Sequence, residues 1–203
     1  SGGWRELRSA PRAIAFRPGG PDSIIVADSR AALLRMDPLS ASWAVPPVPV
    51  WERKDHQAPT LVPRLDGSAP AIACLKQSDA GWSVAVLRAD GSERWTKPIE
   101  SDPLGDLVPA TLNADATTDL VVQWGDPRDV VLRTRGISGI DGAKLWDAAP
   151  MTPGAGRQPA GFAVGPWNSD GFDDVYTQGP KTQVLSGANG ALLASGGSSD
   201  GYF

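Results

Sequence analysis

The chain has 203 residues, of which 41% are hydrophobic and 21% charged, and its formal net charge is −4. This is the composition of an ordinary globular domain, long enough to bury a core. Because lysines and arginines do not cluster, we expect no nucleic-acid partner. Because no run approaches ~18 apolar residues, we expect no membrane span in this segment. The single cysteine, Cys74, excludes an internal disulfide and is expected in a buried strand.

One pattern recurs four times along the chain. In each copy a turn rich in Asp, Asn, Gly or Pro precedes a β-rich run. A second recurring segment ends each copy, at residues 39–43, 91–95, 142–146 and 190–194. Because the turn and this end segment both recur with a period of about fifty residues, the sequence predicts repeated structural units. Their approximate bounds are 10–50, 57–99, 106–150 and 158–197.

Each unit carries four strand signals in the same order, and they are clearest in the last two units. The runs there are residues 107–112, 119–124, 129–133 and 142–146, and then 161–167, 174–178, 182–185 and 191–194. The dipeptides Asp90-Gly91, Asp141-Gly142 and Asn189-Gly190 are typical of two-residue hairpin turns with positive φ. Short antiparallel strands repeated at this spacing describe the blade of a β-propeller.

We therefore predict an all-β chain, a β-propeller built of four blades with four strands each. It is either a closed small propeller or a segment of a larger one. Residues 1–9 are predicted as the outer strand of a preceding or closing blade. A second copy of the chain or further blades would complete an open ring.

Three tryptophans, Trp43, Trp95 and Trp146, fall near the predicted ends of three units. A four-stranded sheet cannot cover both of its own faces, so we interpret these side chains as packing between blades. Ligand contact is the alternative interpretation. The proline-rich connector of residues 43–51 and the charged connector of residues 51–56 are candidates for an exposed contact surface.

The acidic turns of the last two units resemble a known repeat. Residues 113–122 and 168–176 resemble the Asp/Asn-rich turn and strand of FG-GAP, or VCBS-type, propeller repeats. Residues 89–95 and 140–146 resemble the blade-ending motif of PQQ-like propellers. The resemblance covers about residues 12–195 and implies a propeller fold. It also implies that the acidic turns hold Ca²⁺, as they do in some members of these families.

The resemblance assigns three calcium ligands in each of two units: Asn168, Asp170 and Asp174 in the fourth, and Asn113, Asp115 and Asp119 in the third. Alternate carboxylates on a tight loop supply the hard oxygens that Ca²⁺ prefers. The first ligand position of the pattern is occupied by Thr111 and Pro166, and neither can supply a carboxylate. The alternative is that these Asp and Asn side chains cap their own turns by accepting backbone N–H groups.

Residues suited to catalysis are few. The sole histidine, His56, lies in the charged connector, where we expect a solvated loop. With Cys74 expected in the core, little is left for a nucleophilic or metal–histidine constellation, so we predict that the chain is not an enzyme. The competing prediction is a propeller-based enzyme, either a polysaccharide lyase or hydrolase or a quinoprotein dehydrogenase-like fragment. Paired carboxylates such as Asp102 and Asp106 are compatible with this enzyme prediction, because glycoside hydrolysis uses two acidic groups.

Binding is the function that the sequence favours. Rigid blades hold connectors in place, and loops on one rim would contact a protein or a polysaccharide. The resemblance implies that the chain is part of a larger exported protein, periplasmic, extracellular or on the cell surface. The excess of arginine over lysine favours a bacterial source.

Overall fold

The computed structural model describes residues 14–16, 24–27, 33–36, 51–62, 71–126, 131–151, 161–178 and 181–198. Every regular element in these residues is a β-strand, and the strands form four antiparallel sheets of four strands each. The prediction of an all-β chain built from antiparallel four-stranded sheets is therefore confirmed. No helix within these ranges is long and apolar enough to cross a membrane.

The strands of each sheet lie side by side in chain order. The first sheet contains β1 (Ile14–Phe16), β2 (Ile24–Ala27), β3 (Leu33–Met36) and β4 (Trp51–Arg53). The second contains β5 (His56–Val62), β6 (Ala71–Ser78), β7 (Gly81–Leu87) and β8 (Glu93–Pro98). The third contains β9 (Val108–Ala110), β10 (Asp119–Asp126), β11 (Val131–Ile137) and β12 (Lys144–Asp147). The fourth contains β13 (Gly161–Gly165), β14 (Asp174–Gln178), β15 (Lys181–Leu185) and β16 (Leu192–Ser198).

The strands of the last two sheets overlap the predicted segments, and β10 and β14 begin at the predicted Asp119 and Asp174. Strands β11 and β16 each extend four residues beyond the predicted ends at residues 133 and 194. The positive φ values expected of the glycines are confirmed, at 82°, 72° and 73° for Gly91, Gly142 and Gly190. These residues adopt the left-handed backbone without a steric penalty because they have no Cβ. The turns themselves are longer than the two residues predicted, because the closing backbone bonds run from Arg88 to Ser92, from Ser138 to Ala143 and from Ser186 to Ala191.

The first unit departs from the prediction. Its fourth strand is Trp51–Arg53, so the charged connector predicted at residues 51–56 is in fact strand, turn and the start of β5. The segment predicted to end the first unit, residues 39–43 with Trp43, lies outside the described residues. So do the predicted outer strand at residues 1–9 and most of the proline-rich connector.

Consecutive sheets stack through their first strands. Strand β1 contacts β5, β5 contacts β9, and β9 contacts β13. The stack does not close into a ring in the described part of the chain. This arrangement is that of neighbouring propeller blades, while the number of blades in a complete ring stays a prediction.

The core consists of apolar layers between consecutive sheets. Between the second and third sheets, Ala73 and Val86 belong to the same buried cluster as Leu120, Val122 and Trp124. A second cluster joins the third and fourth sheets, with members Ala110, Leu112, Val121, Trp146, Ala148, Val175 and Leu185. Alternate residues of β10 enter opposite clusters because successive side chains of a strand point to opposite faces. Each layer removes apolar surface from water, at about 25 cal/mol per Å².

Two tryptophans on the fourth strands of their sheets form hydrogen bonds to the following sheet. The Trp95 indole Nε1 of β8 donates to the Gly139 carbonyl of the third sheet at 3.0 Å. The Trp146 indole Nε1 of β12 donates to the Gly187 carbonyl of the fourth sheet at 2.6 Å. Both rings thus cross from one sheet to the next, which confirms the interpretation of Trp95 and Trp146 as packing between blades. Arg53 of β4 makes the corresponding link between the first two sheets, donating from Nε to the Gly91 carbonyl at 2.7 Å.

Gly139 and Gly187 occupy equivalent positions where the backbones of two loops touch. A Cβ at Gly139 would overlap the carbonyl oxygen of Thr118, and a Cβ at Gly187 would overlap that of Asp173. Backbone atoms on both sides leave no flexible side chain to move aside. Only glycine therefore fits at these two turns.

The first prediction compares two glycines. Gly139→Ala should lower the free energy of unfolding by about 3 kcal/mol, because the added methyl group forces the turn away from the residue 118 carbonyl. Gly165→Ala is the matched control, since a Cβ there would meet nothing within 4 Å, and it should change stability by less than about 1 kcal/mol. Urea denaturation of both variants measures the difference. Equal losses would show that the close approach at Gly139 does not constrain the fold.

Candidate functional site

The predicted site residues lie at one end of the sheets. Because neighbouring strands are antiparallel, the loop between strands one and two of a sheet and the turn between strands three and four emerge at the same end. We call this end the upper rim. It carries the two acidic loops, residues 111–118 and 166–173, and the hairpin turns at residues 88–92, 138–142 and 186–190. The opposite end, the lower rim, carries the turn at residues 79–80 and the connector of residues 99–107.

The acidic loop of the third unit is built from successive side-chain caps. The Asn113 Oδ1 accepts the Asp115 N–H at 2.8 Å, and the Asp115 Oδ1 accepts the Thr117 N–H at 2.9 Å. Such i to i+2 bonds are typical of Asx turns. The loop also requires a left-handed residue, and Ala116 adopts a φ of 58° there.

The acidic loop of the fourth unit repeats this construction. The Asn168 Oδ1 accepts the Asp170 N–H, and the Asp170 Oδ1 accepts the Phe172 N–H, both at 2.9 Å. Gly171, with φ of 88°, takes the place that Ala116 holds in the third unit. Two loops of different sequence therefore share one hydrogen-bond pattern.

The last acid of each loop is buried and connects three backbone segments. Asp119 is fully buried, and its oxygens accept the Gly139 N–H at 3.0 Å and the Leu112 N–H at 3.2 Å. Asp174 is 2% exposed; it accepts the Gly187 N–H at 3.1 Å and the N–H groups of Trp167 and Asn168 at 3.0 Å. Each carboxylate thus ties the acidic loop and the second strand to the turn between strands three and four.

Asp173 closes the contact between the two acidic loops. Its carboxylate accepts the Thr111 N–H at 2.8 Å, and its own N–H donates to the Thr111 carbonyl at 2.8 Å. The sequence places three acids, Asp170, Asp173 and Asp174, close together, which predicts repulsion unless something compensates the charge. Backbone N–H groups supply that compensation, and each of the three carboxylates accepts at least one.

The two acidic loops are also the calcium sites that the sequence resemblance assigns. Both oxygens of Asp119 and both of Asp174 face backbone N–H donors, whose positive ends repel a cation. The described residues contain no group of three or more His, Cys, Asp or Glu side chains that could hold a metal ion. The geometry therefore fits turn capping and does not fit a calcium cage. Calcium binding by the six assigned residues stays a sequence-based prediction.

The electrostatics of the rim follow from these bonds. Burial raises the pKa of Asp119 to about 6, against the opposing pull of the Gly139 and Leu112 N–H groups. At the exposed turns the aspartate pKa values are lowered instead of raised. Hydrogen bonds from Ser92 hold the pKa of Asp90 below its usual range, and the Ala143 N–H does the same for Asp141. Asp90 and Asp141 are therefore ionised at neutral pH.

His56 is buried, which contradicts the prediction from the sequence. We expected a solvated loop, but the side chain is 3% exposed at the start of β5. Its Nδ1 donates to the Lys54 carbonyl at 2.6 Å, and its Nε2 lies 3.7 Å from a Glu93 oxygen that also binds Lys76 at 2.5 Å. The buried position arises because residues 51–53 form a strand that leads directly through a two-residue turn into β5. A turn signal at Lys54-Asp55 between two short β-runs was the clue available in the sequence.

Neither Cys74 nor the ionic groups form a catalytic constellation in the described residues. Cys74 is fully buried in β6, as predicted, and burial raises the pKa of its thiol well above the usual range. Glu100, Arg135 and Asp147 bring charges from two units together, but they pair with one another, at 2.9 Å and 2.5 Å from the guanidinium. The same guanidinium lies 4.7 Å from the ring of Trp124. Because Trp124, Arg135 and Asp147 all belong to the third sheet, these contacts hold the connector residue Glu100 against that sheet.

No protein-family model matches the chain, and no curated protein matches its sequence. Solved structures do match it. In the complex of BBS1N with ARL6DN soaked with mercury, one chain has a TM-score of 0.62 at 11% identity, covering 95% of this chain and 56% of that one. The lead-soaked form of that complex gives 0.60 at 14% identity, covering 94% and 55%. BamB from Moraxella catarrhalis has a TM-score of 0.51 at 15% identity, covering 93% and 52%.

These matches are to β-propeller proteins, so the chain has the fold of a β-propeller segment. At such low identity the likeness shows the fold alone. The chain spans about half the length of the structures that it matches. Membership of the FG-GAP or VCBS family stays a prediction.

The second prediction concerns the titration of Asp119. Its carboxyl should titrate near pH 6, whereas in the unfolded chain it titrates near 3.8. Between pH 4 and 6 the unfolded chain has already lost this proton, whereas the folded state still holds it. The free energy of unfolding therefore falls across this window, by up to about 3 kcal/mol. Carboxyl-carbon NMR measures the midpoint, and urea denaturation of the wild type against Asp119→Asn measures the energy. A midpoint at or below pH 4 would contradict the expectation.

The third prediction concerns calcium. Because the buried carboxylates already accept backbone N–H groups, the Tm in millimolar Ca²⁺ should equal the Tm in a chelator. A ligand at one hundred times its Kd would add about 2.7 kcal/mol, which a thermal melt detects easily. Asp170→Asn is the matched variant, since it removes a charge but keeps the Oδ1 cap. A rise of several degrees in the wild type that is lost in this variant would show that the turn binds calcium.

Proposed function

We propose that the chain is a non-catalytic propeller-type module that binds a protein through its upper rim. The observation that carries the proposal is a set of exposed acids held in fixed positions on that rim: Asp90, Asp115, Asp141 and Asp170. Each accepts the N–H two residues further on, at 2.8 to 2.9 Å. Their carboxylates are thus ordered before any partner arrives, which reduces the entropy cost of binding.

The fold supports rigid presentation of this surface. The buried Asp119 and Asp174 fix the acidic loops to the neighbouring turns, and Trp95 and Trp146 fix each turn to the preceding sheet. A loop surface held by such a scaffold is the usual setting for recognition. Cations lie at the same end: Arg53 and Arg94 donate to the Gly91 and Ile140 carbonyls, and the charges of Arg88 and Lys97 act on Asp90 and Asp141. The ordered acids therefore suit a partner that places basic groups opposite them.

The comparisons support a protein partner ahead of a polysaccharide. BBS1N, whose fold is similar, was crystallised in complex with ARL6DN. The enzyme alternative draws no support from the charged groups shared between units, because Glu100, Arg135 and Asp147 are mutually paired. Location in the periplasm or outside the cell stays a proposal from the sequence resemblance.

The fourth prediction tests the rim with two charge-neutralised variants. The rim variant carries Asp90→Asn, Asp115→Asn, Asp141→Asn and Asp170→Asn, which preserve every Oδ1 cap. The control variant carries Asp79→Asn, Asp102→Asn and Asp106→Asn on the lower rim, whose side chains are also exposed. Immobilised wild type should capture a specific protein from a bacterial lysate, and the rim variant should reduce this capture at least tenfold.

The control variant should capture the same protein as the wild type, and both variants should keep the wild-type circular dichroism. Capture that is unaffected by the rim variant would contradict the assignment of the binding surface. Turnover of a polysaccharide substrate by the wild type would contradict the non-catalytic assignment.

A further inference from the structure

The fourth sheet has an edge on the outer side of the stack. Its strands lie in the order β13, β14, β15 and β16, so β13 and β16 form its two edges. Consecutive sheets contact one another through their first strands, which places β13 on the inner side of the stack and β16 on the outer side. Among the strands that the structure describes, β16 pairs only with β15. We call its other side the outer edge; a sheet packed on a face of the fourth sheet leaves it uncovered.

The corresponding strands of the second and third sheets carry charges at this edge. The edge of a sheet presents a row of backbone N–H and C=O groups with which another chain can pair, and proteins prevent this pairing with charged side chains and proline. Strand β8 has the exposed charges of Glu93 and Lys97 and ends at Pro98. Strand β12 has the exposed charges of Lys144 and Asp147.

Strand β16 lacks these charges. The register shifts at the last residue of the third strand in all three sheets, so the fourth strands can be aligned by their pairing. Three positions that are charged in β8 or β12 are uncharged in β16: Leu192 replaces Glu93 and Lys144, Ser195 replaces Asp147, and Gly196 replaces Lys97. All three β16 residues are exposed. The outer edge of β16 is therefore open to pairing where the edges of β8 and β12 are protected.

The exposure of Leu192 does not depend on a further sheet. Leu192 pairs with Leu185, and paired residues of neighbouring strands point to the same face. Leu185 belongs to the buried cluster that joins the third and fourth sheets, so this face already packs on a sheet. Leu192 is nevertheless 54% exposed, because β16 is the outermost strand.

Gly196 is a glycine that the contacts within the chain do not require. Its φ is not positive, and a Cβ there would meet only the Cβ of Thr182, at 3.9 Å, which is an ordinary van der Waals contact. Ala148 and Lys97 occupy the same position in the other sheets, so a side chain is accommodated there. A glycine inside a strand weakens it and often marks a place where another backbone approaches closely. Gly196 thus fits the approach of a backbone from outside.

The size of the outer edge indicates what kind of molecule it binds. A strand of seven residues is about 23 Å long. Pairing of two folded chains along such an edge would bury far less than the about 1,200 Å² that a stable dimer needs. A single extended segment requires only the backbone bonds of the edge and side-chain contacts on its two faces. Because residues 191–196 carry no charge, the edge suits an uncharged segment.

We propose that the outer edge of β16 binds an extended, uncharged segment of a partner protein as a fifth strand of the fourth sheet. The backbone of β16 holds the segment, and Leu192 favours an apolar residue at the paired position. The outer edge runs along the side of the sheet, whereas the acids of the upper rim lie at its end. The proposal goes beyond the binding function of the rim and does not rest on it.

The fifth prediction uses a synthetic peptide with the sequence of residues 181–187, which contains the strand that already pairs with the inner side of β16. Added to the ¹⁵N-labelled chain, it should shift the amide signals of residues 192–196 with a Kd of about 1 mM or below. Two further peptides, N-methylated at alternate sets of residues, keep the side chains but lose the donors on one side. One of the two should bind at least tenfold more weakly, because its backbone donors face β16.

A double variant tests the edge from the side of the protein. Leu192→Lys with Ser195→Asp introduces the two charges of β12 without changing the net charge, and it should weaken peptide binding at least tenfold. Its urea midpoint should match that of the wild type, because both side chains are exposed. Ile140→Ser is the matched control, since Ile140 is 44% exposed on a turn of the upper rim. This variant should bind the peptide as the wild type does.

Four results would overturn the proposal. The first is the absence of amide shifts in residues 192–196 at ~2 mM peptide. The second is equal binding by all three peptides, and the third is a double variant that binds like the wild type or an Ile140→Ser variant that loses binding equally. The fourth is a wild-type dimer at ~100 μM that the double variant abolishes, because the occupant would then be a second copy of the chain. Capture by the rim can succeed or fail whatever the peptide result.

Discussion

A sheet of four short strands has two broad faces and too little chain to cover either of them, and this constraint governs the molecule. The packing of consecutive sheets stabilises the molecule by burying apolar side chains between them. Leu120 and Val122 are buried against the second sheet, and Val121 is buried against the fourth. A strand buried on both faces reads as a continuous apolar run, as β10 does from Leu120 to Val122. No sheet in such a stack is an independent folding unit.

Burial of apolar surface alone would not fix the relative position of the sheets, because the hydrophobic effect is non-directional. Directional bonds at the upper rim fix their relative position. Trp95 and Trp146 each donate to one carbonyl of the next sheet, and Asp173 exchanges two hydrogen bonds with Thr111. Within the third and fourth sheets a buried aspartate accepts N–H groups that would otherwise be unsatisfied. Leaving such donors unpaired in a buried place costs about 1–3 kcal/mol each, so the acidic loops have a structural reason to be acidic.

The same physics explains why one acidic motif can serve two purposes. An aspartate aimed at backbone N–H groups caps a turn, and an aspartate aimed at a common centre binds a cation. Spacing along the chain is equal in the two cases. The difference lies in where the oxygens point, and at Asp119 and Asp174 they point at the backbone. The rim acids that remain exposed are then available to a partner in positions set by their own turns.

The sequence by itself determined the repeat, the strands of the last two units and the hairpin glycines, because these depend on local alternation and backbone geometry. It also determined that Trp95 and Trp146 pack between sheets, since aromatic residues at repeated strand ends must be covered. Only the tertiary structure decided the direction of the Asp119 and Asp174 oxygens, the burial of His56 and the exposure of Trp167 and Tyr176. These properties depend on which segment lies opposite, and a one-dimensional pattern carries no information about contacts between residues far apart in the chain. Leu112 and Trp167 have the same place in the repeat, yet one is buried and the other exposed because only the first has a sheet above it.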